Sequence, residues 1–151
     1  MPDLSRTLLA LATLLATAAL TPLHAQFSKT MHTSFEADSA RVIRVDIVGE
    51  VSVEPWAGNT VLVETRARLY NSSKGVFDYF VEREGRYDVL AEVEGETLRL
   101  YSKVPERKTV QSKSGVAREE VLVRVLLPKA FLDEAGSVGT YTRTETPAGS
   151  R

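Results

Sequence analysis

Three features of the sequence predict a mainly β fold, a small sheet of alternating strands with one short helix at about 74–84. Apolar residues recur at every second position in several runs, Gly, Pro and Asn break those runs, and one stretch alone carries helical spacing. The clearest run sets Ile43, Val45, Ile47, Gly49, Val51 and Val53 on odd positions, with Arg44, Asp46, Val48, Glu50, Ser52 and Glu54, mostly polar, between them. Successive side chains of an extended backbone leave opposite faces, so this pattern predicts a half-buried strand. A single strand of that length is long for a small domain, and Gly49 is the expected bend that divides it.

The remaining elements follow in chain order. Residues 26–40 form a polar lead-in whose sizeable apolar residues are Phe27, Met31 and Phe35, ending in a short strand at Phe35. After the first run, Pro55-Trp56-Ala57-Gly58-Asn59 predicts a turn, because proline cannot donate to a ladder and Gly and Asn tolerate positive φ. Trp56 is expected to cap the end of the apolar core. Val61, Val63, Thr65, Ala67 and Leu69 resume the alternation, and Asn71–Gly75 reads as a loop. Val76, Phe77, Phe80 and Val81 share one helical face, Ser73 can cap its start and Gly85 its end. A hairpin follows, Tyr87 to Val93 and then Leu98 to Leu100, around a three-residue turn at Glu94-Gly95-Glu96. Residues 103–118 read as a long exposed connection with a short edge strand at 109–112. Val121, Val123, Val125 and Leu127 make the last clean strand, stopped by Pro128. Residues 132–151 show almost no apolar periodicity and are expected to be a disordered tail, which leaves 41–131 as the β-rich domain.

Composition narrows function by exclusion. The 151 residues include 19 basic and 20 acidic side chains, a formal charge of −1 that gives no reason to expect nucleic acid as a partner. Cysteine is absent, which excludes disulfides, thiolate metal sites and cysteine nucleophiles. Residues 1–25 carry Arg6, a short apolar run from Leu8 to Leu20, Pro22 and Ala25. A charged start, a short apolar middle and a small residue at the exit predict a secretory signal peptide cleaved after Ala25, with the protein exported to the periplasm or cell surface. The apolar run falls short of the ~20 residues a spanning helix needs.

The runs IRVDIVGEVSVEPWAGNTVLVET, GRYDVLAEVEGETLRLYSK and EEVLVRVLLPKAF resemble a family of exported bacterial proteins of unassigned function, labelled putative adhesins. The most specific portion is Gly49-x-Val51-x-Val53-x-x-Trp56 followed by Asn59-x-Val61-x-Val63, and the likeness covers Phe35 to Phe131. It implies Gly-punctuated strand repeats in a β-solenoid-like sheet. The further repeats such proteins carry after the segment matching Leu126-Leu127-Pro128 are missing here, which would leave an open sheet edge able to pair with another chain.

The residues offer little reactive chemistry. His32 is the sole histidine after the leader, no Gly-x-Ser-x-Gly elbow or phosphate loop occurs, and no cofactor is implied. Two features could carry recognition. One is the basic connection with Lys103, Arg107, Lys108 and Lys113; the other is the aromatic set Tyr70, Phe77, Tyr79, Phe80 and Tyr87, of which Tyr79 is the expected exposed member. The candidate interaction surface is therefore Tyr79, Lys103, Arg107, Lys108 and Lys113. The expected function is that of a non-catalytic exported β-sheet protein, adhesin-like or structural in the envelope. Its expected partners are envelope glycans, cell-surface components or a second copy met through a sheet edge. The alternatives are a periplasmic module that binds glycan or lipid and, in third place, a glycan hydrolase using acids among Asp78, Glu82, Glu84, Asp88 and Glu92.

Overall fold

Alternation becomes architecture in β2 (Val42–Asp46) and β3 (Glu50–Trp56), the two halves of the first run. Gly49 makes the bend between them at φ +132°, where a Cβ would lie 3.1 Å from the Val121 carbonyl oxygen. The computed structural model describes residues 26–144; the expected signal peptide, 1–25, lies outside them. The other strands are β1 (Gln26–Glu36), β4 (Thr60–Tyr70), β5 (Val89–Glu94), β6 (Thr97–Ser102), β7 (Val110–Ser112), β8 (Gly115–Pro128) and β9 (Gly139–Thr142). A helix α1 (Lys74–Asp78) runs on as a π-helical turn over Tyr79–Glu84. The protein is mainly β, as the alternation predicts.

The strands form two sheets. The larger runs β1-β4-β8-β3, with β7 on the start of β8, and the smaller runs β5-β6-β2-β9. Two pairings are parallel, β2 with β6 and β3 with β8, so the bent segment 42–56 runs alongside strands that come later in the chain. All the other strand pairs are antiparallel. Odd-numbered residues of β4 and β8, among them Val61, Leu69, Val125 and Leu127, turn inward to meet Ile43, Val45 and Leu100 in one shared core.

The helix is built as its sequence predicts. The Ser73 hydroxyl accepts from the Val76 N–H at 3.3 Å, and Gly85 closes the π-helical turn at φ +61°. Phe77 is buried in the core and stacks on Phe27 of β1, 6.2 Å between ring centres. The short edge strand expected at 109–112 is β7, and β8 begins six residues before Val121 because β7 folds back upon its start.

Four expectations are corrected. Residues 26–36 are no lead-in but an eleven-residue strand, paired with β4 along its whole length. As an edge strand, β1 buries only Phe27, Met31 and Phe35 in part, so its sequence alternates weakly. Nor is the segment after 131 a loose tail as far as Thr144. Gly136 bridges Val53, β9 pairs with β2, and the Arg143 guanidinium donates to the carbonyls of Ala37, Asp38 and Ala40. Backbone bonds, one cation and the packing of Leu132 and Tyr141 against the core hold this stretch, and apolar periodicity does not register such bonds; residues 145–151 lie outside the described ones. The hairpin turn has two residues, Gly95-Glu96, since Glu94 still pairs with Thr97. Trp56 is half-buried and serves its own turn: its indole N–H donates to the Thr60 carbonyl at 2.8 Å and its ring covers Gly58.

Candidate functional site

The residue pattern that marks a candidate surface is a strand apolar on both parities. In β8 the core residues Val121, Val123, Val125 and Leu127 alternate with Leu122, Arg124 and Leu126, which point to the other side of the sheet. On β4 the same outer side carries Leu62, Glu64, Arg66 and Arg68. Register then assembles the surface. Leu62 stands opposite Leu126, Glu64 opposite Arg124, Arg66 opposite Leu122 and Arg68 opposite Glu120. The three leucines are only part-buried, and on this face among the described residues no helix or strand lies over them.

Two shallow depressions cross this face and meet at Glu64 and Arg124. One extends over Glu50 and Ser52 of β3 and Leu122 of β8, the other over Leu62, Leu126 and His32 of β1. Together they make a trough across all four long strands, floored by leucine and crossed by charge. Several of the charges are paired. Arg124 donates to the Glu54 carboxylate at 2.7 Å, and that hydrogen bond holds Glu54 below its ordinary carboxylate value. Glu120 accepts from the Tyr70 hydroxyl at 3.0 Å and from Arg68 at 3.2 Å, bonds that lower its carboxyl too. Nδ1 of His32 lies 3.8 Å from Glu64. A surface with several paired charges and part-buried leucines suits a broad, mixed contact rather than a polyanion.

The residues singled out from the sequence do not come together. Tyr79 is exposed, 56% of its surface, and its ring contact is with neighbouring Phe80. Lys103 sits 3.5 Å from Asp88 and Lys113 lies in the turn between β7 and β8. Arg107 donates to the Val48 carbonyl at the β2–β3 bend, and the Lys108 carbonyl accepts from Arg86 at 2.6 Å. The connection is thus anchored along part of its length by its own backbone and by Arg107. The acids considered for hydrolysis have cationic neighbours: Asp78 with Lys74, Glu82 with Lys29, Glu84 with Arg86 and Asp88 with Lys103. Glu92 is exposed on β5.

A second polar centre, unanticipated from sequence, lies behind that connection. The Arg86 side chain, only 5% exposed, donates twice to the Glu119 carboxylate, at 2.7 and 2.9 Å, and lies over the Phe80 ring. Tyr87 donates to the same carboxylate at 2.7 Å. Burial would raise the Glu119 carboxyl, but the hydrogen bonds from Arg86 and Tyr87 outweigh it and hold it below its ordinary value. Burial, reinforced by the bond to Glu119, pushes the Tyr87 phenol up. Every strong donor and acceptor here faces another, so the cluster is a structural tie between the helix end and β8. In sequence, the Arg86-Tyr87 pair just after a helix-ending glycine is its only trace.

No protein-family model, no curated protein and no solved structure matches the chain.

Proposed function

We propose that the protein is an exported, non-catalytic binding module of the cell envelope, and that it engages its partner through the outer face of the β1-β4-β8-β3 sheet. The single observation that carries this reading is the trough of Leu62, Leu122 and Leu126 interleaved with the ion pairs Arg124–Glu54 and Arg66–Glu64. Part-buried leucines on a sheet's outer side lie outside the core, and the ion pairs between them fix rotamers in advance, which lowers the ordering cost of binding. The leader at 1–25 supports export. The adhesin-family resemblance agrees with a surface-contact role.

The test is binding of the purified, labelled protein to isolated envelope fractions. Saturable binding is expected, and it is expected to be lost in Leu62→Glu/Leu126→Glu with the circular dichroism spectrum unchanged. Binding that survives both substitutions would reject the face. An activity screen that found turnover abolished by substituting one acid would reject the non-catalytic reading.

A further inference from the structure

We propose that β1 is a self-association edge: two copies of the chain pair antiparallel through β1, about a two-fold axis at Met31, joining their larger sheets into one. The free side of β1 is the first support. The strand is last in its sheet and its eleven residues pair with β4 without a skip. Among the described residues, no backbone hydrogen bond outside the sheets involves β1. The helix reaches β1 through side chains, the Phe27–Phe77 contact and the Lys29–Glu82 ion pair, and leaves the strand's edge backbone open. At about 3.3 Å per residue, this is an edge of about 36 Å.

Edge strands are ordinarily protected by shortness, proline, bulges or charge. The other edges have such protection. β9 has four residues, β5 has six with Glu92 and Glu94, and β3 is met by Gly136. β1, reading QFSKTMHTSFE, has no proline, no glycine, and a single charge, Lys29, before its last residue.

The choice of a second copy comes from the strand's complementarity with itself. Phe27, Met31 and Phe35 are spaced four apart on one face. When Met31 faces its own counterpart, Phe27 faces Phe35, Lys29 faces Thr33, Ser28 faces Ser34, Thr30 faces His32 and Gln26 faces Glu36. All eleven residues are used, every apolar residue meets an apolar one, and no like charges meet. Registers two residues to either side set Lys29 against Phe35 or Met31, and the one centred on Lys29 opposes two ammonium groups. The larger sheets would then run on as β3-β8-β4-β1 and its mirror order, with both troughs on one continuous face.

Because the chain has no cysteine, single-cysteine variants of the full sequence read the register directly. Facing Cα atoms in an antiparallel pair lie ~4.5–5.5 Å apart, within disulfide reach. Met31→Cys is expected to form a disulfide-linked dimer on mild oxidation. Thr33→Cys alone is expected not to, since its counterpart is four residues along the strand, about 13 Å away. A mixture of Lys29→Cys and Thr33→Cys is expected to cross-link. In sedimentation across the micromolar range the unmodified protein is expected to dimerise, and Met31→Lys to weaken that dimer about tenfold or more. A monomer throughout that does not cross-link at position 31 would overturn the proposal, as would a dimer in which Thr33→Cys alone cross-links as well as Met31→Cys. If Met31→Lys fails to fold, the cysteine pattern still decides.

Discussion

Replacing Arg86 with methionine keeps most of the aliphatic stem and removes the guanidinium from its tie to Glu119. The loss comprises two charge-assisted bonds at 2.7 and 2.9 Å, the bond to the Lys108 carbonyl and the stacking over Phe80. Removing one member of a buried pair costs ~3–5 kcal/mol, because the other charge stays behind without its partner. Glu119 keeps the Tyr87 bond and is 17% exposed, which places the expectation at the lower end, about 3 kcal/mol. With a urea dependence of ~2 kcal/mol per molar, the midpoint should fall by about 1.5 M. The assay is urea unfolding followed by fluorescence of the sole tryptophan, Trp56, and by circular dichroism. Arg86→Met/Glu119→Leu removes both charges and should be more stable than Arg86→Met alone. If Arg86→Met shifts the midpoint no more than loss of the exposed Lys74–Asp78 pair does in Lys74→Met, the tie is not structural and the reasoning fails.

Acid should expose the same tie. Folding holds the Glu119 carboxyl below its reference value of 4.5, so its contribution is complete above about that pH and is lost as pH falls through the folded value. The stability gap between the native protein and Glu119→Gln should therefore close on acidification, as measured by urea midpoints across the pH range. Gly49→Ala should cost ~1–3 kcal/mol, from a φ that is glycine territory and a Cβ only 3.1 Å from the Val121 oxygen. Ending the chain at Asp133 should destabilise it markedly in thermal melts, by removing β9 from β2 and Arg143 from the 37–40 turn; an unchanged melting temperature would return that segment to the status of a tail.

What the sequence discloses depends on which force builds each element. Strands that bury most of one face, β2, β4 and β8, and β3 through Val53 and in part Val51, print their alternation in Ile, Val and Leu. The bend at Gly49 and both ends of the helix are likewise legible, because φ and capping restrict residue choice at those points. Elements held by backbone pairing leave fainter marks. β1 exposes most of its residues, and β9 turns only Tyr141 toward the core. The candidate surface was half legible: Leu122 and Leu126 break the polar parity of β8 in plain view, but only register brings Leu62 and the Glu–Arg pairs beside them. Charge in the basic connection misled, since part of it holds the chain to itself through Arg107 and the Lys108 carbonyl.

The place of β8 governs the order in which the protein can come together. It separates β3 from β4, strands that adjoin in the chain, and it arrives some sixty residues after them. Until it emerges, β3 lacks a partner on its β8 side and β4 has β1 alone. Contacts so distant along the chain form late and slowly. A nascent chain of this design can complete its larger sheet only once β8 has been made.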